Sequence, residues 1–432
     1  MQGKKYTMHK IIIHKFRQIS KAEIDLKDFT LFIGQQASGK STIAKLIYFF
    51  KNVNNLLYVL LMRRTQPDKI IDELTDTINS EFIKAFSPFD KTNIFHITYQ
   101  YENKCCISIS FEKSEIVTTK INKSLQSKIF GLINEFLKGS NVYQYAQNAD
   151  LQRSDAAYHT ANKIFSQPNN FLFIPAGREI TVSYSERLQQ DFFAGLDYTL
   201  DDNILRLFMR HSKSLIDYYA KRNGFEVLFN EGSIYSTLRR YVESILKGRY
   251  ESNNGEKIYY NDNNSVPLRN TSSGQQESIR IIQDAINILD GGNPVTRIIE
   301  EPEAHLFPSA QKSLVQLLAL IFNQTHSQLI ITTHSLHVLA TFNNLLYYSK
   351  VLKESPDKKK QLEEYFGTIG ISDIADIKPE KFAVYALNVS AADSNDYCKS
   401  LIDIETNLIG ENAIDESSEK IYDDFNFMYS II

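Results

Sequence analysis

The octet Gly34-Gln35-Gln36-Ala37-Ser38-Gly39-Lys40-Ser41 constrains this chain more than any other stretch. An apolar run, Phe29 to Ile33, precedes it, and a helical pattern from Ser41 to about Phe50 follows it. Strand, glycine loop and helix in that order make a phosphate-binding loop. The backbone N–H groups of such a loop wrap phosphate oxygens, and the helix start adds its positive end. Lys40 is placed to neutralise β- and γ-phosphates, and Ser41 to offer its hydroxyl to Mg2+. The expected nucleotide-binding set is Gly34, Gln35, Gln36, Ala37, Ser38, Gly39, Lys40, Ser41 and Thr42, with ATP and Mg2+ as ligands.

The surrounding pattern says what kind of sheet carries this loop. Ile11 to Phe16 and Ala22 to Leu26 read as short strands, and about Thr92 to Val117 alternates apolar and polar like a half-buried antiparallel hairpin. Phe171 to Ile174 is a short buried strand ending at Pro175. From about Leu188 to Leu246 the apolar residues recur at three and four spacing, as in Leu205, Phe208, Met209, then Leu215, Ile216, Tyr219. The polar stretch Glu251 to Asn264 reads as turn chemistry. Helix (Gln275 to Leu289), strand (Thr296 to Ile299), helix (Ser309 to Phe322), strand (Gln328 to Thr332) and helix (Leu336 to Leu346) then alternate, which implies a parallel sheet.

Composition excludes some classes. The chain has 432 residues, 43% hydrophobic and 23% charged, with a formal net charge of −3. That is ordinary globular usage, and any nucleic-acid contact needs a local basic patch rather than the whole-chain field. Cys105, Cys106 and Cys398 have neither the number nor the spacing of a disulfide framework or a zinc site. The run Ile11 to Ile13 is too short for a signal-peptide core, and no stretch approaches the roughly 20 apolar residues of a membrane span. The expectation is a cytoplasmic protein with no membrane partner.

Three further motifs follow the loop. Ile298-Ile299-Glu300-Glu301-Pro302-Glu303 runs an apolar strand into adjacent carboxylates, the shape of a Walker B strand. The first, Glu300, is expected to hold Mg2+ together with Ser41, although Asp is more usual there. The second, Glu301, can orient and deprotonate the attacking water. Thr271-Ser272-Ser273-Gly274-Gln275-Gln276-Glu277 opens a helix, and Thr332-Thr333-His334-Ser335 closes a strand. Alone, a Ser-Gly pair is usually a helix cap and a lone His usually structural. Their order along the chain carries the signal.

That order, with Lys15-Phe16-Arg17 near the start and Glu300 to Pro308 as Glu-Glu-Pro-Glu-Ala-His-Leu-Phe-Pro, resembles the ATP-binding cassette class, which includes SMC and RecF-type ATPases. Within it the chain resembles the OLD-like group, often labelled AAA family, over about residues 9 to 350. The resemblance implies an α/β fold: an ABC-ATPase (P-loop NTPase) head with an antiparallel β subdomain and a helical insertion. Its expected parts are residues 9–184, a helical insertion at 185–264, the second half of the core at 265–350, and a mixed, acidic segment at 351–432. It implies that Ser273 and Gly274 cap the γ-phosphate of ATP held by another subunit, so that the protein is a homodimer or higher homo-oligomer. Gln275 stands where transporter signatures have a second Gly. His334 resembles the switch His that contacts the γ-phosphate, Glu301 the catalytic base, and Lys40 the phosphate-neutralising lysine. Phe307 replaces a His common in the group.

OLD proteins proper carry a Toprim nuclease domain. The stretch after Tyr348 is short for one, and Asp393-Ser394-Asn395-Asp396 lacks the Asp-x-Asp spacing. Stand-alone relatives accompany a nuclease or toxin in anti-phage systems such as Septu, PARIS and retron-associated modules. The resemblance therefore implies an ATPase that senses a phage protein or nucleic acid and controls a separate effector protein; the alternative is a RecF-like DNA-repair ATPase. A transporter subunit is disfavoured by the double-Glu strand and the atypical signature.

Other residues keep two readings each. Gln100 is either the Q-loop glutamine or an exposed hairpin residue. Arg178, in Pro175-Ala176-Gly177-Arg178, either faces nucleotide or a subunit interface, or is a surface residue of a plain turn. Arg206, Arg210, Lys213, Lys221 and Arg222 are either a stripe for nucleic acid or an acidic partner, or a solvated face. The acidic run Asp403, Glu405, Glu411, Asp415, Glu416, Glu419, Asp423 and Asp424 is either a docking element or a solvated helix face.

Overall fold

A computed structural model describes residues 9–89, 94–102, 104–112, 116–143, 149–167, 170–183, 199–226, 233–252, 255–366, 377–387 and 397–410. The chain divides into two compact units. The first holds the described residues within 1–27, 37–171 and 387–399, and the second those within 28–36, 172–386 and 400–432.

In the first unit β1 (His9–Phe16) and β2 (Ile19–Leu26) form a hairpin. After β3 (Phe29–Gly34), which belongs to the second unit, come β4 (Phe95–Glu102), β5 (Cys105–Phe111) and β6 (Val117–Ile121). They build one five-stranded sheet in the order β2-β1-β4-β5-β6, with every neighbouring pair antiparallel. The alternation predicted a hairpin here, and its buried set (Phe95, Ile97, Tyr99, Ile107, Ile109, Phe111) is the buried face of that larger sheet. Phe16, Phe82, Phe86 and Phe95 meet edge-on or tilted with ring centroids 4.8–6.0 Å apart, and Phe49 from the helix Lys40–Lys51 joins them. Aromatic packing of that kind fixes the helix against the sheet beyond what its area burial alone provides. The helices Val53–Met62, Ile70–Phe86, Lys123–Tyr143 and Ala149–Ile164 complete the unit.

One region of this unit is unusually polar for its depth. His9 Nδ1 lies 2.9 Å from the Tyr99 hydroxyl, and the Tyr101 hydroxyl donates to the Phe50 carbonyl at 2.7 Å. Lys51 is also buried, its residue 2% exposed. Burial pushes the Lys51 ammonium down to about 7. Burial likewise lowers the His9 imidazole well below its ordinary value, and the neighbouring Lys51 charge adds to that.

The second unit holds β3 with β8 (Arg249–Glu251), β9 (Lys257–Asn261), β10 (Asn264–Pro267), β11 (Thr296–Glu300) and β12 (Gln328–Thr333), and all but one residue each of β7 (Phe171–Ile174) and β13 (Phe382–Leu387). Its main sheet holds β13, β3, β12, β11 and β7 in that order. β3, β12 and β11 run parallel, with Phe32 opposite Thr332 and Thr332 opposite Glu300. Every residue of β3 and β11 is buried, as expected of parallel strands covered on both faces. The covering helices are Ser273–Gly291, Pro308–Gln324 and Leu336–Glu354, whose Ile282, Leu317, Leu318 and Phe342 pack with Leu31, Ile299 and Ile331 in one core.

The helices Leu200–Ala220 and Ser233–Leu246 fall inside the expected helical stretch, and Thr199 caps the first through a reciprocal bond with Asp202. The polar stretch after them is more ordered than its composition suggested. β9 and β10 form a hairpin across Asn261 to Asn264, and β8 adds to it as a third strand. A long-range network anchors it: buried Arg280 binds both Glu256 oxygens at 2.5 and 2.7 Å, and Gln283 donates to Tyr250 at 2.8 Å. No local pattern reports that pairing. A second buried pair holds the helix Ser273–Gly291 to β11. Arg297 grips Asp284 through two bonds of 2.7 and 3.0 Å, and His211 meets the same carboxylate at 2.7 Å. Burial alone raises the pKa of Asp284, but the Arg297 guanidinium and His211 outweigh it and hold the carboxyl far below the usual range.

Candidate functional site

The loop after β3 starts at the edge of the main sheet from which β12 and β11 also exit. Gly34 follows Ile33, which is opposite Thr333, and Glu300 is opposite Thr332. The backbone turns through positive φ at Ala37 (61°) and Gly39 (88°) before the helix Lys40–Lys51 begins. Such a left-handed step favours glycine. A Cβ at Gly39 would also sit 3.0 Å from the Tyr397 hydroxyl and 3.1 Å from Ile19. That hydroxyl donates to the Ser38 carbonyl at 2.8 Å, so Tyr397 buttresses the loop, a role no motif announced. Lys40 is buried and donates to Ser38 Oγ at 3.4 Å; Thr42 accepts from Gln18 at 3.2 Å; Ser41, Gln35, Gln36 and Ala37 are exposed. No side chain caps the helix start at Gly39. A helix start of this kind, entered through a glycine, suits an anion such as a phosphate.

In the second unit the carboxylate strand, the strand-terminal His and the Ser-Gly helix converge. Glu300 is buried, and its Oε1 has no hydrogen-bond partner. An unsatisfied buried acceptor suits a cation. Glu301 is more open, with its side chain 39% exposed, and its Oε1 lies 3.0 Å from His334 Nε2. Its backbone is left-handed (φ 43°), a costly conformation for a non-glycine residue. Three bonds hold it there: Glu301 N–H donates to Thr332 O at 2.9 Å, and its carbonyl accepts from Ala304 N at 3.0 Å and Arg178 at 2.9 Å. Glu303 was given no role by its motif. Its Oε1 accepts from the Thr333 hydroxyl at 2.5 Å and the His334 N–H at 3.0 Å, which fixes the backbone that presents His334. Burial raises the pKa of Glu303.

Ser272, not Ser273, is the N-cap of the helix Ser273–Gly291, in a reciprocal bond with Gln275. Gln275 therefore works as a capping residue in place of a second glycine. Ser273 is exposed at the first turn. Gly274 is buried, and a Cβ there would stand 2.6 Å from the His305 carbonyl. The glycine is needed where the helix meets the turn that follows Glu301. Phe307 leaves that same turn with 74% of its surface exposed.

Arg178 is neither a surface residue nor a ligand-facing one, which corrects both expectations for it. It is fully buried. Beside it Glu277 and Glu179 share one hydrogen-bonded contact, and burial raises Glu277 to about 7 despite the Arg178 charge, which lowers it. Gln100 lies inside β4, opposite Lys10 and Cys106, in the first unit. The basic stripe is partly spent within its helix: Arg206 donates to Asn203 at 3.2 Å, and the Arg222 guanidinium sits 3.8 Å over the Tyr218 ring. The acidic residues from Glu411 onward, and Asp393 to Asp396, lie outside the described residues. Among the described residues no helix is long and apolar enough to cross a membrane, and no group of three or more His, Cys, Asp or Glu is poised as a metal cluster.

The structure thus brings together Glu300, Glu301 and His334, with Gly274 against the same turn. The loop residues Ala37 to Thr42 belong to the first unit and stand by their own geometry.

The family model described as the AAA ATPase domain matches residues 7–339. Endonuclease GajA of Bacillus cereus (strain HuB5-5) is 22% identical over 392 residues, covering 76% of this chain and 56% of that protein. The chain therefore spans about half the length of that curated relative. Among solved structures, an SmcHead bound to the C-winged helix domain of ScpA aligns with TM-score 0.39 and 14% identity, over 78% of this chain and 91% of that one. The SMC head domain from Thermotoga maritima aligns with TM-score 0.33 and 13% identity, over 78% and 92%.

Proposed function

The chain belongs to the AAA ATPase domain family, and from that premise we propose that it is an ATP-driven switch that senses phage infection and controls a separate effector. The observation that carries the catalytic part is the open Glu301 carboxylate, held by His334 in a strained backbone at the exit edge of the parallel sheet. Gly34 to Thr42 bind the phosphates, with Lys40 neutralising their charge. Ser41 and Glu300 would each offer an oxygen to Mg2+, which would supply positive charge to the phosphate oxygens. Glu301 takes a proton from the attacking water, whose oxygen bonds to the γ-phosphorus as the bond to the ADP oxygen breaks. His334 keeps Glu301 aimed. Ser273 and the first N–H groups of its helix meet the γ-phosphate held by a second copy of the chain. Loss of that phosphate removes the contact and releases the pair, a timed switch.

The likeness to an endonuclease favours a nuclease over a toxin as the effector. A RecF-like role in DNA repair is the competing reading. The near-neutral chain and the internal use of Arg206 and Arg222 weigh against it. Two measurements test the proposal. Cells carrying the gene with its neighbours should resist phage, and Lys40→Ala should abolish that resistance. ATP hydrolysis by the purified protein should stop on chelation of Mg2+ and be indifferent to duplex DNA. Protection unchanged by Lys40→Ala contradicts the switch. Hydrolysis stimulated by DNA, and lost steeply with salt, selects the repair reading.

A further inference from the structure

Arg178 makes contacts out of proportion to a turn residue. Its Nη1 donates to the Glu300 carbonyl at 2.6 Å and to the Pro175 carbonyl at 2.8 Å. Its Nη2 donates to the Glu301 carbonyl at 2.9 Å and pairs with the Glu277 carboxylate at 3.0 Å. Its Nε donates to the Glu277 carbonyl at 3.1 Å, and its backbone N–H to the Glu277 carboxylate at 3.2 Å. Glu277 lies one helical turn after Ser273. One planar fork therefore grips the carbonyls of both acidic residues and the first turn of the Ser273–Gly291 helix.

We propose that Arg178 is a positioning residue that couples the Ser273–Gly274 helix start to the Glu301 turn, so that a ligand engaging Ser273 is reported to the base as a shift of its backbone. Three observations support it. The Glu301 backbone is left-handed and needs an outside hold, and the Arg178 bond at its carbonyl is one of the three that supply it. The side chain is wholly buried, so it touches no ligand itself. Besides its ion pair with Glu277, its side-chain donors reach four main-chain carbonyls, at Pro175, Glu277, Glu300 and Glu301, which ties positions as well as charges. A guanidinium does this through five fixed N–H groups; an ammonium has three on a flexible stem. The inference rests on the reading of Glu301 as the base.

The test uses Arg178→Lys in the full chain, with Glu301→Gln as reference. Arg178→Lys keeps a charge beside Glu277 but loses the fork. We expect kcat to fall about 100-fold with KM for ATP nearly unchanged, as for displacement of a catalytic group by about an ångström. A purely structural role would lower the melting temperature and leave kcat of the folded protein alone. The double exchange Arg178→Met with Glu277→Met removes both charges, leaves neither unpaired, and should show the same loss in kcat. Either variant turning over within about threefold of the parent overturns the proposal. Should Glu301→Gln itself hydrolyse ATP normally, the reading of the base fails instead, and that outcome is distinct.

Discussion

Glu301→Gln should lower the ATP turnover number by about 10²- to 10⁴-fold while ATP still binds, the range associated with loss of a general base. The exchange preserves volume and the capacity to accept from His334, so the turn stays formed. What it removes is the capacity to take a proton from water. Glu300 keeps its own place: it is buried, one position earlier, on the strand rather than the turn. Lys40→Ala acts at the opposite end of the reaction, by weakening phosphate binding. Single-turnover hydrolysis and nucleotide affinity, measured on both variants, separate the two roles. Turnover within tenfold of the parent for Glu301→Gln would move the base to another residue, and affinity unchanged in Lys40→Ala would remove the loop from phosphate binding.

Lys51→Met should stabilise the first unit by about 4 kcal/mol at neutral pH. The Lys51 residue is 2% exposed and its ammonium is lowered from 10.5 to about 7 by burial alone. A folded-state value below the unfolded one means that the fold disfavours the charged form. Below pH 7 the full penalty applies. As pH rises from 7 towards 10.5, the unfolded chain loses the advantage of its charge, and the parent recovers stability. The variant carries no such penalty, so its advantage is greatest in acid and vanishes near pH 10.5. Methionine matches the length of the lysine stem and fills the same space. Melting curves of both proteins at pH 6 and pH 10 check this. Equal melting temperatures at pH 6 would show that the Lys51 charge is solvated in the fold.

Much of this architecture was legible because its signals are local. The octet Gly34 to Ser41 sits between strand and helix as its spacing predicts, and the apolar runs before Glu300 and Thr333 are buried parallel strands. Alternation from Phe95 to Phe111 named the buried face of the antiparallel sheet. What stayed hidden depends on distant partners. Arg178 reads as a turn residue because its acceptors lie about a hundred positions away, at Glu277, Glu300 and Glu301. The β8–β10 sheet hides behind a polar composition because Arg280 and Glu256, not an apolar pattern, anchor it. Tyr397 buttresses Ser38 across almost the whole length of the chain. The role of Gln275 was obscured for another reason: an unexpected side chain in a motif reads as a defect until its bond to Ser272 shows it to be a cap.

In the proposed switch, ATP joins two copies of the chain through Lys40 on one and Ser273 on the other. The most direct test is the molar mass in solution of the Glu301→Gln variant, by light scattering, with and without ATP and Mg2+. ATP is expected to raise the mass to that of a dimer or a multiple of it, and adding Lys40→Ala to abolish the rise. A mass that stays at one chain while ATP is bound at saturation contradicts it.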